Sequence, residues 1–276
     1  MVMGQITTND GCRLHYQEAG AGRPLVLIHG WSQSGAVFKR QTEGLSDRFR
    51  VIALDMRGHG QSDKPAHGYR LSRLAKDVHD FLAALDLREV TLLGWSMGCS
   101  VVWSYWDLFG PERLSKIVLV DQAPWCLALP DMSAQERETA GSVVDLAGLV
   151  EQHASLRDSR ALAFTEELVR RMTSPAMPEE ERRWIVEENL KMPRHLAARL
   201  LLDHVCLDWR DVIPRINLPT LIIAGRASVV TCQSQVWIQQ QIPGSRLEIF
   251  EEAEGGSHFM FLEGAKKFNQ ILSDFA

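Results

Sequence analysis

Apolar positions along this chain fall into two rhythms. The stretch RLHYQEAG (13–20) alternates apolar and polar residues with period two and predicts an early strand. Short runs that are apolar at nearly every position follow: PLVLIHG (24–30), RVIALDMRGHG (50–60), VTLLGWS (90–96), KIVLVDQAP (116–124), LPTLIIAG (218–225) and RLEIFEEAEGG (246–256). Runs apolar on both faces suit strands buried in a parallel sheet. Helical spacing lies between them. Leu74, Val78, Phe81, Leu82 and Leu85 mark one face of a helix from Leu71 to Leu85. A second helix starts just after Ser96 and runs to Phe109, where Gly110-Pro111 stops it. Others cover Ser234 to Gln241 and Phe259 to Phe275. Strands that alternate with helices predict an α/β fold, a mostly parallel open sheet with helices on both faces.

One region breaks the alternation. From Trp125 to Trp209 no strand is evident. Four helix-like stretches fill it instead (Ala134 to His153, Ser159 to Met172, Pro178 to Lys191, His195 to Asp208), punctuated by Pro175, Pro178 and Pro193. The expected organisation is a core made of residues 1–124 and 210–276, with residues 125–209 inserted as a helical lid. Ligands of open α/β sheets bind beyond the carboxyl ends of the strands, and an insertion leaving one such end can wall a pocket there.

The bulk numbers narrow the function without choosing it. The 276 residues are 45% hydrophobic and 24% charged, an ordinary globular composition. A net charge of −5 with no basic block argues against nucleic acid as a partner. The N-terminal MVMGQITTNDG lacks a basic start followed by an apolar run, and no stretch reaches the length of a membrane span. Five dispersed cysteines (Cys12, Cys99, Cys126, Cys206, Cys232) suit reduced, buried thiols rather than a disulfide framework. A cytoplasmic location is the expectation, and homodimerisation stays open.

The chemistry concentrates in three places. LLGWSMG (92–98) carries G-x-S-x-G directly after an apolar strand and before a helix. That context lifts Ser96 above the sheet on a sharp turn, and it requires glycines at 94 and 98 because side chains there would strike the adjoining strand and helix. The Met97 backbone N–H, at the helix start, points toward a developing oxyanion. LIHGWSQSG (27–35) ends another strand, and its Trp31 N–H is the candidate for a second oxyanion donor. His29 reads as a loop-fixing residue. EGGSHFMFLEG (254–264) places His258 after the last strand and a flexible Gly-Gly-Ser, free to reach Ser96 as the base that a serine nucleophile requires. His59 and His67 read as structural. No metal-ligand spacing and no phosphate-cradling glycine loop is present, so neither a metal nor a cofactor is expected.

With these pieces in hand the chain resembles the α/β-hydrolase fold superfamily, and within it the lid-bearing esterase, lactonase and C–C hydrolase branch. The matching segments are HGW (29–31), DMRGHGQSD (55–63), GWSMG (94–98), LPTLIIAG (218–225) and GGSHFMFLE (255–263), in order along nearly the whole chain. The resemblance implies an eight-stranded sheet. It also implies a pairing of Asp55 with Arg57 that fixes their loop, and a triad in the order serine, acid, histidine. The acid orients the imidazole and stabilises its charged form. Its usual home in this branch is the loop after TLIIAG, in a G-x-x-D pattern. Here Gly225-Arg226-Ala227-Ser228 puts a hydroxyl in that place, and the following Val229-Val230-Thr231-Cys232 lacks the usual proline. Asp121, at the end of KIVLVD, is the expected replacement, since some members of the superfamily carry the acid after that strand. Glu251, Glu252 and Glu254 are weaker candidates.

The expectation is therefore a serine hydrolase of carboxylic esters or lactones, with Ser96 as nucleophile, His258 as base and Asp121 as acid. Its partner would be a small, largely apolar ester-like substrate, and Trp95 and Trp125 are candidate pocket walls. Two readings stay open beside it. A C–C bond hydrolase or cofactor-free dioxygenase would use the same site, and a non-catalytic ligand-binding protein would keep only the fold.

Overall fold

A computed structural model describes residues 1–276. The strands of its main sheet form where the apolar runs lie, with one addition at the N-terminus, and a short strand pair appears in the inserted region. They are β1 (Val2–Thr7), β2 (Arg13–Ala19), β3 (Pro24–Ile28), β4 (Arg50–Leu54), β5 (Val90–Trp95), β6 (Leu114–Val120), a short pair β7 (Leu127–Ala128) and β8 (Val144–Asp145), β9 (Thr220–Gly225) and β10 (Arg246–Phe250). Eight of them make one sheet in the order β1-β2-β4-β3-β5-β6-β9-β10. β1 and β2 pair antiparallel, as do β2 and β4, and every other neighbour is parallel. β1 escaped the sequence reading because it is an edge strand with one neighbour. Most of its side chains face solvent, so it has no need of an apolar run.

The helices are α1 (Lys39–Leu45), α2 (Leu71–Ala84), α3 (Met97–Phe109), α4 (Ala134–Ala140), α5 (Leu146–Ser155), α6 (Ala161–Met172), α7 (Glu179–Leu190), α8 (Arg194–Cys206), α9 (Cys232–Gln241), α10 (Met260–Glu263) and α11 (Ala265–Phe275). Successive strand residues feed opposite faces. Val26 and Ile28, with Ile52 and Leu54, pack into a core built with α2, α3 and α9. Leu25 and Leu27, with Val51 and Ala53, pack into a second core with Phe38, α1, α10 and α11. This is why the strands read as continuous apolar runs: a sheet covered on both faces leaves no polar side.

Between β6 and β9 the chain is helical, with two departures from expectation. The stretch Ala134 to His153 is two helices, because Gly141 takes a left-handed conformation (φ 69°) that ends α4. The β7–β8 pair also supplies a small parallel sheet where none was expected. The last predicted helix is divided at Gly264, whose backbone closes against Phe250 and Glu254. No helix is long and apolar enough to cross a membrane.

The loop after β4 also differs in detail. Asp55 does not meet Arg57. Asp55 is buried and takes hydrogen bonds from His15 Nδ1 (3.0 Å) and from the backbone N–H groups of Gly35 (2.7 Å) and Gln61 (2.8 Å). Arg57 donates instead to Asp77 (2.7 and 2.9 Å) and Asp10 (2.7 Å). Both residues fix the loop, through separate networks, because each buried charge needs its own counterpart.

Candidate active site

The turn between β5 and α3 holds Ser96 at φ 53°, ψ −130°, a region that a side chain other than glycine enters only under strain. Backbone bonds hold it there: Ser96 N–H donates to Val120 O (2.9 Å), and Ser96 O accepts from Cys99 N–H (2.7 Å). The flanking glycines are steric requirements. A Cβ on Gly94 would lie 2.4 Å from Gly98 O, and one on Gly98 would lie 2.3 Å from Ile28 O. The helix therefore starts directly against the ends of β3 and β5. Met97 is its first residue, and its N–H has no acceptor within the helix.

The loop after β3 brings Trp31 alongside. Its backbone N–H makes no hydrogen bond within the protein. Five hydrogen bonds anchor this loop to the inserted helices, one of them donated by Arg194 to Ser32 Oγ (2.7 Å). Trp31 Nε1 donates to Ala197 O (3.0 Å), Ser32 Oγ to Asn189 O (2.9 Å), Gln33 Nε2 to Ile185 O (3.5 Å) and Ser34 Oγ to Glu188 (2.6 Å). His29 and His59 sit below it, both buried, their rings 4.8 Å apart. His29 Nδ1–H donates to Gly30 O (2.8 Å) while its Nε2 accepts from Met56 N–H (3.1 Å). His59 Nδ1–H donates to Arg57 O (2.9 Å) while its Nε2 accepts from Ser32 N–H (3.2 Å). Burial holds both imidazoles below the ordinary histidine range, and so uncharged. The loop-fixing reading of His29 agrees with this geometry.

His258 arrives from the other side. Its backbone N–H donates to Met172 O (3.1 Å) at the end of α6, and its carbonyl accepts from Trp95 Nε1 (2.9 Å). Its Nδ1 lies 2.6 Å from Asp121 Oδ2, with both side chains buried. Asp121 follows β6 at φ 55°, a left-handed conformation that aspartate tolerates better than most residues. Its N–H donates to Ile223 O (2.9 Å), and its Oδ1 lies 3.4 Å from Gly225 N–H. Ser228 is the third party. Its hydroxyl donates to Asp121 Oδ2, accepts from Val230 N–H (3.2 Å) and stands 3.4 Å from His258 Nδ1. The hydroxyl that occupies the expected acid position and the carboxylate from β6 thus converge on one imidazole nitrogen.

The other acids lie elsewhere. Glu251 pairs with Arg226 (3.1 Å) and Glu254 with Lys267 (2.5 Å), both at the surface, and Glu252 is exposed.

Ser96 and His258 open onto one cavity of about 130 Å³, lined mainly by apolar side chains. Trp31, Phe164, Leu168, Met172 and Val230 form much of its wall, and α5, α6 and α8 all contribute to it. The two tryptophans expected as walls are not in the lining of this cavity. Trp95 is 2% exposed and packs under His258 beside Phe259 and Phe261, so it supports the base and reaches only a small neighbouring hollow. Trp125 is outside the cavity lining, its ring covered by the Arg210 guanidinium at 4.8 Å. Sequence reasoning missed Gln122, Cys126 and His204, which do line the cavity. Gln122 stands beside Asp121, but nothing in the helical spacing of 195–208 singles out His204. Among the thiols, Cys206 is exposed rather than buried, and all five are free.

The sheet order, the strained serine turn and the histidine loop define an α/β-hydrolase. The match to the alpha/beta hydrolase fold family model covers residues 23–265, and the chain belongs to that family. It is 32% identical over 270 residues to a pimeloyl-[acyl-carrier protein] methyl ester esterase of Aeromonas hydrophila, an alignment covering 93% of this chain and 96% of the relative. Among solved structures it is similar to a bromoperoxidase from Bacillus anthracis (TM-score 0.90, 28% identity, 99% of each chain). It is also similar to an esterase from Exiguobacterium antarcticum (TM-score 0.87, 27% identity, 98% of each chain). The chain is a hydrolase of this fold.

Proposed function

We propose that this hydrolase cleaves small carboxylic esters or lactones through an acyl-enzyme on Ser96. The observation that carries the reading is the convergence of a serine on a strained strand-to-helix turn and a histidine bonded to a buried aspartate at one apolar cavity. With Nδ1 bonded to Asp121, His258 Nε2 takes the Ser96 hydroxyl proton as Oγ bonds to the acyl carbon. The Trp31 and Met97 N–H groups receive the oxyanion, and Asp121 stabilises the imidazolium. Collapse breaks the bond to the alkoxy oxygen, which leaves with the proton from His258. Water then gives a proton to the same nitrogen and attacks the acyl carbon. The acid departs and Ser96 recovers its proton. In a lactone the leaving alcohol stays tethered to the acyl group until this second step releases the hydroxy acid.

Residues 125–209 act in this reading as the lid over a core of residues 1–124 and 210–276. The support is that α5, α6 and α8 wall the cavity and that α7 and α8 accept the hydrogen bonds of the Trp31 loop. The test is hydrolysis of p-nitrophenyl acetate and butyrate beside mass spectrometry after fluorophosphonate treatment. Turnover and one adduct on Ser96, both absent from Ser96→Ala, are expected. Absence of the adduct in the wild type would refute an acyl-enzyme and favour chemistry on the same site without acylation.

A further inference from the structure

The cavity wall contains a polar cluster that the hydrolysis above does not use. Gln122 and Cys126 follow β6, and His204 comes from the last turn of α8; all three line the cavity. They converge on one sulfur: Gln122 Nε2, which also donates to Ala123 O (3.0 Å), lies 3.1 Å from Cys126 Sγ, and His204 Nε2 lies 4.0 Å from it. His204 is 6% exposed, and its Nδ1 has no hydrogen-bond partner. A buried imidazole whose sole hydrogen-bond contact is a thiol at 4.0 Å is poorly satisfied, and protein interiors rarely leave such a group without reason. The surroundings are mostly apolar, with Phe164, Leu201 and Val205 among the neighbouring wall residues, while Gln152 and the exposed Arg171 also reach the lining. Burial pushes His204 down to about 4 and the Cys126 thiol up to about 11, so both groups are neutral near pH 7. A neutral imidazole and a neutral amide suit a neutral oxygen and give no compensation to a charged one.

We propose that Gln122, Cys126 and His204 form a neutral polar subsite that takes a hydroxyl or carbonyl oxygen on an otherwise apolar, ring-sized acyl group. The size follows from the cavity, whose volume of about 130 Å³ is close to that of an engineered protein cavity known to hold benzene. The word acyl rests on the hydrolase reading; the subsite does not. The substrates favoured are esters of hydroxy- or oxo-substituted aromatic or alicyclic acids, over the unsubstituted analogues. A site that hydrogen-bonds a buried oxygen discriminates strongly against the analogue that lacks it, because here the His204 imidazole is then left unpaired.

The experiment pairs binding with turnover. Dissociation constants for phenol and toluene are measured by calorimetry on the wild type, His204→Phe and Gln122→Leu. The three methyl hydroxybenzoates are compared with methyl benzoate in kcat/KM and KM. Phenol is expected to bind the wild type, and the phenol-to-toluene preference should shift toward toluene by about tenfold or more in His204→Phe. Gln122→Leu should move it the same way and keeps the test alive should His204→Phe fail to fold. At least one hydroxybenzoate should exceed methyl benzoate by a similar factor, a preference that His204→Phe loses mainly through KM. No phenol binding, or a preference unchanged within about twofold in both variants, overturns the subsite even if esters are hydrolysed. A phenol preference that depends on His204 in a protein that turns over no ester overturns the hydrolase reading and leaves the subsite standing.

Discussion

The loops after β6 and β9 approach the same imidazole and offer it different chemistry. The β6 loop presents Asp121, a carboxylate 2.6 Å from His258 Nδ1. The β9 loop presents Ser228, a hydroxyl at 3.4 Å from the same nitrogen whose proton is already given to Asp121. A hydroxyl can orient a neighbour, but it cannot offset the charge of an imidazolium in a buried site. The carboxylate can, provided its own burial is compensated. Three groups compensate it here: His258, the Ser228 hydroxyl and, at 3.4 Å, Gly225 N–H. The lesson is that His258 is not left without a carboxylate. That carboxylate sits one strand away from Ser228, whose hydroxyl is its hydrogen-bond donor.

Four substitutions and one titration would break or sharpen this contrast. The largest effect lies outside both loops and sets the scale. Ser96→Ala should lower kcat/KM for a p-nitrophenyl ester by about 10⁴-fold or more, since the nucleophile itself is lost. Asp121→Asn should lower kcat by about 10²–10⁴-fold, as expected of a triad acid. A near-wild-type rate in that variant would show that the β6 carboxylate is not the acid. Asp121→Asn combined with Ser228→Asp returns the charge to the β9 loop and should recover about tenfold or more over the single variant. No recovery would mean that the loop geometry, and not only the charge, has shifted to β6. Ser228→Ala removes one hydrogen bond to a carboxylate that keeps its other partners, and should lower kcat by about fivefold at most. A loss as large as that of Asp121→Asn would make the two loops equal contributors.

The smallest effect extends the contrast to two histidines, His258 with its carboxylate and His204 with none. Burial lowers the His204 pKa from 6.5 to about 4 in the folded protein. Between those values the unfolded chain binds a proton that the folded protein refuses, so stability falls as pH falls through this window. The slope from this residue is at most about 1.4 kcal/mol per pH unit, and His29 and His59 act in the same direction. Urea midpoints recorded from pH 7 to pH 4 should therefore fall, and fall less steeply in His204→Phe. An equal slope in the variant would show that His204 is protonated in the folded state.

Much of this site was legible in the chain because it is local. The turn at Ser96 needs glycines two residues before and after it, and the neighbouring backbone atoms show why. The strands of the inner sheet are legible for a related reason: burial on both faces makes a run apolar irrespective of its partners. Where an element's exposure depends on its neighbours, the sequence was silent. β1 is an edge strand, Trp125 lies under Arg210 and Cys206 is exposed; each was misread or missed for that reason. The Asp55 and Arg57 networks belong with these, since their partners are distant in sequence.

The sequence by itself determined the class of fold, the order of the chemical groups and the absence of a carboxylate at position 228. These depend on periodicity and on turns, which a short segment specifies alone. Only the tertiary structure decided which carboxylate meets His258 and which side chains face the cavity. Asp121 and His258 stand 137 residues apart, and their contact exists because the parallel neighbours β6, β9 and β10 end side by side and the loop carrying His258 follows β10. Ser228 shows the division most plainly. In the sequence it is a missing charge, and in the fold it is the hydrogen-bond donor that helps hold that charge in place.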